Sequence, residues 1–338
     1  MHIPKPLGII DTFSLGFSVV NRHLWLLAIS ILLELVVSSG PKVTAGPVAQ
    51  QALALYRESL ESMPEEMRNS SSAPSIQDTR EMIEEAVQPI SSFNILSLLL
   101  WQVPSLASGS LAYFGNSIGF EIADFSMLVL VSLAVLILGL LATSLYLTAV
   151  ATFVRGDVSE QGRNPPEGHD QRETFDLVEF YKRLQVNWFR LIAFYGLLTV
   201  VVLVVGITGT AIVGAVTLLN QSIGSTLVGL GFAIILLAIL YLFFSDEAIV
   251  IEGKGPLAAA RTSISLVYKN YRASLMLAVL TTLITVGTHL IWMSLSNNIL
   301  GAFVGMVGNA YVSTGLTASV MLFYSHRRPF LQKEAAPG

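Results

Sequence analysis

Long apolar runs separated by short polar segments dominate the chain. A helix needs about 20 apolar residues to cross the hydrocarbon core of a bilayer, which is about 30 Å thick. The runs that reach or approach this length are residues 24–37, 125–154, 190–210, 224–244, 274–294 and 299–323. The pattern therefore predicts an all-α integral membrane protein with about six transmembrane helices.

The first of these runs is the weakest. Residues 24–37 are only fourteen in number and include Glu34, so they cross the core only if neighbouring residues contribute. A secretory signal peptide is the alternative, with residues 43–45 as a loose cleavage motif. The segment before the run is long and amphipathic rather than short and basic, which favours a transmembrane helix.

Amphipathic segments precede several of the apolar runs. They lie at residues 7–21, 174–188 and 246–275. In the last of them, at 100° per residue, an apolar arc lies beside a basic one. The apolar arc comprises Leu257, Ala260, Ile264, Val267, Tyr268 and Tyr271. The pattern predicts helices that lie on the membrane surface, on its cytoplasmic side.

Four basic residues of the third segment are candidate contacts for lipid or for a partner protein. They are Lys254, Arg261, Lys269 and Arg272. Each contributes about 1 kcal/mol when it lies close to anionic headgroups. Gly255 and Pro256 are expected to end a strand-like stretch at residues 249–254 and to begin a helix. The alternative is that this helix only packs against the bundle and marks a topological stop.

A polar insert and a broken apolar segment follow the first run. Residues 40–92 carry eight acidic and four basic side chains, and helices are predicted near 48–67 and 76–87. The acidic side chains most simply form a solvated face. Residues 93–120 are apolar but are interrupted by Pro104 and several glycines, so a re-entrant or interfacial segment is expected.

These predictions divide the chain into six parts. They are an interfacial helix and first span (1–39), an extracytoplasmic acidic helical insert (40–92), a re-entrant or interfacial segment (93–120), a second span (125–154), an interfacial helix with spans three and four (155–245), and a basic amphipathic loop with spans five and six and a cytoplasmic tail (246–338).

Lysine and arginine predict the orientation. If the N-terminus is cytoplasmic, 15 of the 19 lysines and arginines lie on the cytoplasmic side, and four lie on the acidic insert. Cytoplasmic loops carry the excess of these residues. The chain is therefore expected in the cell membrane with both termini in the cytoplasm.

Composition limits the classes of function. Hydrophobic residues make up 53% and charged residues 12% of the chain, against about 25% charged in soluble domains. Cysteine is absent and the five histidines are scattered. The sequence has no phosphate-binding glycine loop, zinc-protease helix, nucleophile elbow or nucleic-acid-binding pattern. We expect no cofactor, metal site, catalytic residue or nucleic-acid partner; the expected partners are lipid and unidentified proteins.

Three polar residues are predicted inside the spans: Glu34, His289 and Asn309. A carboxylate in a span suggests a transport or proton-transfer role, although Glu34 is close enough to the end of its run to reach the interface. His289 is either a ligand or proton carrier, or hydrogen-bonded to a neighbour. Asn309 is expected to hydrogen-bond between helices. Close helix packing is expected at Gly301, Gly305 and Gly308.

Two acidic residues, Asp246 and Glu247, directly follow the run at 224–244. They could form a salt bridge with Arg155 or Arg327, or they could bind a cation. The sequence favours the salt bridge.

The segment at 252–272 resembles a cytoplasmic loop of a broad group of prokaryotic multi-pass proteins of uncharacterised function. This group includes the membrane domain found beside some glycerophosphoryl diester phosphodiesterases. The matching residues are Gly255, Pro256, Ala259, Arg261, Ser263, Leu266, Val267 and Asn270. Ile264 and Arg272 stand where the group has tryptophans, and Tyr271 also departs from its pattern. The resemblance implies a multi-pass architecture, but no phosphodiesterase catalytic domain is present and that activity is not implied.

Three hypotheses of function follow. The first is a non-enzymatic membrane scaffold that binds lipid or protein partners. The alternative is a small-solute transporter or permease component, which a polar cavity at mid-membrane would favour. An intramembrane enzyme would require Glu34, His289 and a hydroxyl such as that of Ser294 to converge.

Overall fold

The chain is helical and has several helices able to cross a membrane. The computed structural model describes residues 7–62, 85, 87–88, 91–100, 103, 119–161, 176–296 and 298–334. About 89% of the described residues are helical. Five of their helices are long and apolar enough to span a bilayer, and a bent helix pair near the N-terminus would raise the number to six. This confirms the prediction of a multi-pass helical membrane protein.

Helices account for most elements that the structure describes. They are α1 (Ile9–Arg22), α2 (Leu27–Ser39), α3 (Gly46–Glu61), α4 (Phe125–Gln161), α5 (Leu177–Leu219), α6 (Gln221–Leu242), α7 (Ser245–Glu252), α8 (Pro256–Lys269), α9 (Tyr271–Leu295) and α10 (Ile299–Glu334). The structure also contains two short strands, β1 (Lys42–Thr44) and β2 (Gly119–Glu121), and two 3₁₀ turns, Leu24–Leu26 and Ile95–Leu100.

Three of the predicted helices differ in extent from the structure. Helix α2 has 13 residues, about 20 Å, so by itself it is shorter than the bilayer core, and it is bent by 87° from the helix before it. The predicted surface helix at 174–188 and the span at 190–210 form one continuous helix, α5. Neither glycine nor proline occurs between Leu177 and Tyr195, so nothing in that stretch interrupts the helix.

Side-chain caps determine where several helices begin. The Asp176 carboxylate accepts a hydrogen bond from the Val178 N–H (2.9 Å) at the start of α5. Asn220 does the same for the Ser222 N–H (3.0 Å) at the start of α6. Asp124 precedes α4 and accepts from Ser126 through both its N–H and its hydroxyl (2.7 Å each). These hydrogen bonds lower the pKa of Asp124, since they favour its ionised form.

The connection between α7 and α8 corrects the predicted strand-like stretch at 249–254. Helix α7 continues to Glu252 and ends at Gly253, whose φ of +63° is in the left-handed region that glycine adopts without strain. Pro256 then occupies the first position of α8, where its missing N–H costs nothing.

Helix α10 lies at the centre of the bundle and contacts α1, α2, α4, α7, α8 and α9. Its closest neighbour is α1, which crosses it at Gly16. A Cβ atom on Gly16 would lie 2.1 Å from the Ser319 hydroxyl and 2.8 Å from the Gly315 carbonyl oxygen. The two backbones therefore touch, and the residues around this crossing, such as Val19, Val20 and Met321, are buried.

One small parallel pair of strands accompanies the helices in the described part of the chain. β1 pairs with β2, with Lys42 opposite Gly119 and Thr44 opposite Glu121. The first helix predicted in the acidic insert corresponds to α3, whereas the second, at 76–87, falls almost wholly outside the described residues.

Only part of the predicted re-entrant segment at 93–120 is described, namely residues 93–100, 103 and 119–120. The turn Ile95–Leu100 packs against α4. The contact is close at Gly139, where a Cβ atom would lie 2.2 Å from the Leu98 carbonyl oxygen. The other residues of the segment lie outside the described part of the chain.

The hairpin of α5 and α6 is exposed over much of its length. All side chains from 200 to 205 are exposed, and the following helix is also exposed on most sides. These side chains are almost all apolar, so lipid is their natural surrounding. With 43 residues, α5 is about 65 Å long, more than twice the thickness of the bilayer core.

Candidate functional site

A cavity of about 520 Å³ lies among α7, α9 and α10, with Leu147 of α4 also on its wall. Most of its lining side chains carry a polar group. These are Asp246, Glu247, Thr281, Thr282, Thr285, His289, Asn309, Ser313 and Thr317. We call it the acidic cavity. Asn309 lies about 15 Å along α10 from its first residue, Ile299, so the cavity reaches well into the bundle.

A break between α6 and α7 brings the two acidic residues into the bundle. The break is stabilised by Ser263 of α8, whose hydroxyl donates to the Tyr241 carbonyl oxygen (2.7 Å) and accepts from the Phe244 N–H (3.0 Å). The Phe244 ring stacks on that of Phe323 with their centroids 5.4 Å apart. Backbone groups released by the break are thus paired, and α7 begins among buried side chains.

Asp246 and Glu247 lie in the first turn of α7. The Tyr195 hydroxyl donates to Oδ2 of Asp246 at 2.7 Å. Glu247 is 7% exposed, and its Oε2 atom is buried and has no hydrogen-bond partner among the described residues. The positive end of the α7 dipole favours both carboxylates in this turn.

Hydroxyl, amide and imidazole groups form the opposite walls. On α9 the polar residues recur at Thr281, Thr285 and His289, one helical turn apart. On α10, Asn309, Ser313 and Thr317 repeat the same spacing. Two polar stripes therefore face the carboxylates of α7 across the cavity.

The formal charge of the side chains that line the acidic cavity is negative. Among the described residues that line it are two carboxylates and no lysine or arginine. Within the described part of the chain, no group of three histidine, aspartate or glutamate side chains is placed to hold a metal ion. An acidic lining of this kind attracts cations more than anions.

The structure places two of the three predicted intramembrane polar residues in this cavity, His289 and Asn309. Glu34 is 2% exposed in α2 but is not among the lining residues. Ser294 is exposed and its hydroxyl donates to the Ile291 carbonyl oxygen. Glu34 and Ser294 thus have no place on the cavity wall with His289, which leaves the enzyme hypothesis without a site there.

The predicted packing glycines lie on α10. A Cβ atom on Gly308 would lie 2.6 Å from the Trp292 ring, and one on Gly301 would lie 1.9 Å from the Leu295 carbonyl oxygen. Both glycines therefore contact α9 or its end closely. Gly305 is buried.

Lys254, one of the four predicted lipid or partner contacts, pairs with two groups of the fold. Its Nζ lies 2.8 Å from Oε2 of Glu252 and donates to the Thr262 hydroxyl at 2.7 Å. The ammonium group thus makes two contacts within the fold. Arg261, Lys269 and Arg272 are exposed.

The predicted apolar arc of α8 needs one correction. Leu257, Ile264, Tyr268 and Tyr271 are exposed. Val267, however, is fully buried, together with Ala259 and Leu266. Helix α8 therefore has three faces: one packs on the bundle, one is apolar and exposed, and one is basic and exposed.

The sequence favours a salt bridge of Asp246 or Glu247 with Arg155 or Arg327. In the structure both arginines make other contacts. Arg155 donates to the carbonyl oxygens of Val250 (2.6 Å) and Ile251 (2.5 Å). Arg327 lies over the Phe323 ring at 3.8 Å and donates to the Leu7 carbonyl oxygen at 3.4 Å.

The acidic cavity could have been found from a signal that the sequence contains. Polar residues recur every four positions at 281, 285 and 289 and again at 309, 313 and 317, in two spans that are otherwise apolar. Two such stripes predict a polar surface between the last two spans. The carboxylates of Asp246 and Glu247 face this polar surface because of the break before α7.

No family model, curated protein or solved structure matches this chain. The resemblance of the segment at 252–272 to a group of uncharacterised multi-pass proteins therefore stays a prediction.

Proposed function

We propose that the protein binds a small cation, or a small solute with a cationic group, in the acidic cavity and passes it across the membrane as a transporter or permease component. One observation supports this above the others. The Oε2 atom of Glu247 is buried, lacks a hydrogen-bond partner among the described residues, and lies on the wall of a cavity that Asp246 also lines.

Electrostatics favour a cationic ligand. Burying a carboxylate is costly unless an opposite charge or hydrogen bonds compensate. A second carboxylate at the next residue increases that cost, because like charges repel. A cation in the cavity would offset both the cost of burial and the repulsion between the carboxylates, whereas an anion would increase both.

Size and access are consistent with a small solute. A volume of about 520 Å³ is within the range of about 300–1,000 Å³ that small-molecule sites occupy. Thr282, Thr285 and Val286 are exposed on the α9 side, so a solute has a way in. Secondary transporters often bind substrate where a transmembrane helix is interrupted, and the acidic residues here follow such an interruption.

The proposal includes the predicted orientation. The protein lies in the cell membrane with both termini in the cytoplasm. The excess of lysine and arginine is then on the cytoplasmic side, as the positive-inside rule requires. Asp246 and Glu247 are then nearer the cytoplasmic end of the bundle, and the acidic insert is outside.

Cation-dependent stability tests the proposal. Full-length protein in mild detergent is unfolded thermally in chloride salts of sodium, potassium, tetramethylammonium, guanidinium and 1,4-diaminobutane at equal ionic strength. A ligand at 100 times its Kd stabilises the folded state by about 2.7 kcal/mol. At least one cation should therefore raise the unfolding temperature by several degrees.

The variant Glu247→Gln separates a site from a general salt effect. It should lose the response to that cation, while Glu121→Gln, the same change on the exposed strand β2, should keep it. Proteoliposomes of the wild type should then take up the stabilising cation faster than those of Glu247→Gln. Equal stabilisation of all three proteins by every salt would refute the cavity as a cation site.

A second candidate function, a non-enzymatic scaffold that binds anionic lipid or a partner protein, is favoured by the exposed faces of α8. Leu257, Ile264 and Tyr268 form an exposed apolar strip beside the exposed basic residues Arg261 and Arg272. This is the distribution of a helix that rests at a membrane surface or against a partner.

Co-purification tests the scaffold candidate. Under this candidate the double variant Arg261→Gln/Arg272→Gln should lose a stoichiometric partner protein, or anionic lipid, that purifies with the wild type. The cation response should be unchanged in this variant. If the purified wild type carries neither a partner nor a lipid that depends on these arginines, the scaffold candidate fails.

A further inference from the structure

A second pocket, of about 370 Å³, lies where α4, α5 and the end of α7 meet. Four basic side chains line it: Arg155, Lys182, Arg183 and Arg190. Glu252 is the acidic residue on its wall, so the formal balance of the lining is +3. We call it the basic pocket. It shares no lining residue with the acidic cavity.

The contacts of the lining residues leave most of this positive charge uncompensated. Glu252 already accepts from Lys254, Tyr324 and Arg328, so little of its charge is directed at the pocket. Arg155 is held by two carbonyl oxygens, which carry no net charge.

The three basic residues of α5 that line the pocket differ in their contacts. Arg183 pairs with Glu179, one turn away on the exposed surface of α5. Lys182 and Arg190 have no ion-pair or hydrogen-bond partner among the residues that the structure describes. Two of the four cationic groups are thus available to a ligand, and a third is held only by neutral groups.

Like charges lie close together in the basic pocket. The guanidinium groups of Arg155 and Arg183 are close enough to repel each other. The floor of the pocket is Gly253, and a Cβ atom there would lie 2.8 Å from Nη1 of Arg190. Gly253 thus gives the Arg190 guanidinium the space to lie against the backbone at the end of α7.

The basic pocket lies next to the apolar, uncharged part of α5. No charged residue occurs between Arg190 and Asp246, so the whole α5–α6 hairpin beyond Arg190 is apolar or uncharged. Arg190 is therefore the last charge before the membrane. Val186 lines the pocket and is 45% exposed, and Phe189 beside it is 57% exposed. Leu197 and Val200, further along the same side of α5, are also exposed, so an apolar track runs from the pocket along the helix.

We infer that the basic pocket binds the phosphate group of an anionic phospholipid, with an acyl chain along the exposed apolar side of α5. Arginine presents paired N–H donors that match phosphate oxygens, and Lys182 adds a mobile point charge. Basic pockets between transmembrane helices are known lipid-headgroup sites. The neighbouring apolar track favours a lipid over free phosphate, because it would contact acyl chains.

Binding of short-chain lipids to the full-length protein in mild detergent tests this inference. The probes are dioctanoyl phosphatidylglycerol, dioctanoyl phosphatidylcholine, glycerol 1-phosphate and inorganic phosphate, and the readouts are native mass spectrometry and thermal unfolding. Phosphatidylglycerol should bind saturably with a stoichiometry of one and raise the unfolding temperature. The other three probes should bind at least about tenfold more weakly.

Variants locate the site. Arg190→Gln and, separately, Lys182→Gln should each weaken phosphatidylglycerol binding by about tenfold, while Arg57→Gln, an equal charge change at an exposed position of α3, should leave it unchanged. Lys182 is exposed, so its variant remains informative if Arg190→Gln folds poorly. Equal loss in Arg57→Gln would overturn the pocket as the site. Equal binding of glycerol 1-phosphate or inorganic phosphate would overturn the lipid as its ligand.

Discussion

Oε1 of Glu252 lies 2.6 Å from Nε of Arg328, and this contact joins the end of α7 to the far end of α10. The same oxygen accepts from the Tyr324 hydroxyl at 2.5 Å, and Lys254 pairs with the other carboxylate oxygen. The carboxylate is thus the common acceptor of three groups, one in the connection between α7 and α8 and two on α10. It ties the position of α7, and with it the acidic residues of the cavity, to the central helix.

Replacing this carboxylate should destabilise the protein. Glu252→Gln leaves two partly buried cations without their counter-charge, and hydrogen bonds to charged groups contribute about 1.5–3 kcal/mol each. We expect a loss of about 2 kcal/mol or more, measured as a lower unfolding temperature in detergent. Glu121→Gln removes the same charge from an exposed strand and should change the unfolding temperature little. Similar behaviour of the two variants would show that the network does not stabilise the fold.

The crossing of α1 and α10 should not tolerate a side chain at Gly16. A Cβ atom there would overlap the Ser319 hydroxyl and the backbone of α10, and such overpacking costs about 1–3 kcal/mol. Gly16→Ala should therefore lower the unfolding temperature. Gly206→Ala is the control, because no atom lies within 4 Å of the added Cβ and alanine favours the helix. The control should be neutral or slightly stabilising, and an equal loss in both variants would contradict the proposed contact.

The cap of α4 predicts a pH dependence. The pKa of Asp124 is lowered from its ordinary value of 3.8 by hydrogen bonds from Ser126 and Met127. A lowered pKa in the folded state means that the stabilisation is fully present above about pH 3.8 and is lost as the pH falls through the folded pKa. The wild type should unfold at a higher temperature than Asp124→Asn near neutral pH, and the difference should shrink below pH 4. A difference that does not change with pH would rule out the carboxylate as the cause.

The spans were predictable because the bilayer imposes a simple requirement. A run of about 20 apolar residues has few other stable states in a membrane protein, so the positions of α4, α5, α6, α9 and α10 follow from hydropathy. The short strands were not predictable in this way. Lys42 and Gly119 are far apart in sequence, and no alternating pattern marks either three-residue strand.

The candidate site was predictable in its parts but not as a whole. His289 and Asn309 stand out as polar residues in apolar spans, and both line the acidic cavity. The role of Glu247 depends on the interruption between α6 and α7, which is stabilised by a serine 19 residues later in the chain. The sequence around Lys254 likewise does not indicate that Glu252 turns back to pair with it. Contacts between separate helices decide both cases.

The interruption itself should depend on Ser263. Its hydroxyl pairs with the Tyr241 carbonyl oxygen and with the Phe244 N–H, and Ser263 is fully buried. Ser263→Ala leaves both backbone groups unpaired, at a cost of about 1–3 kcal/mol.

We expect two effects of Ser263→Ala: a lower unfolding temperature, and a weaker response to the stabilising cation, because α7 then holds Asp246 and Glu247 less firmly. Ser265→Ala, on the exposed face of the same helix, is the matched control and should behave as the wild type. A Ser263→Ala protein that is less stable but responds fully to the cation would show that the interruption supports the fold without positioning the acidic residues.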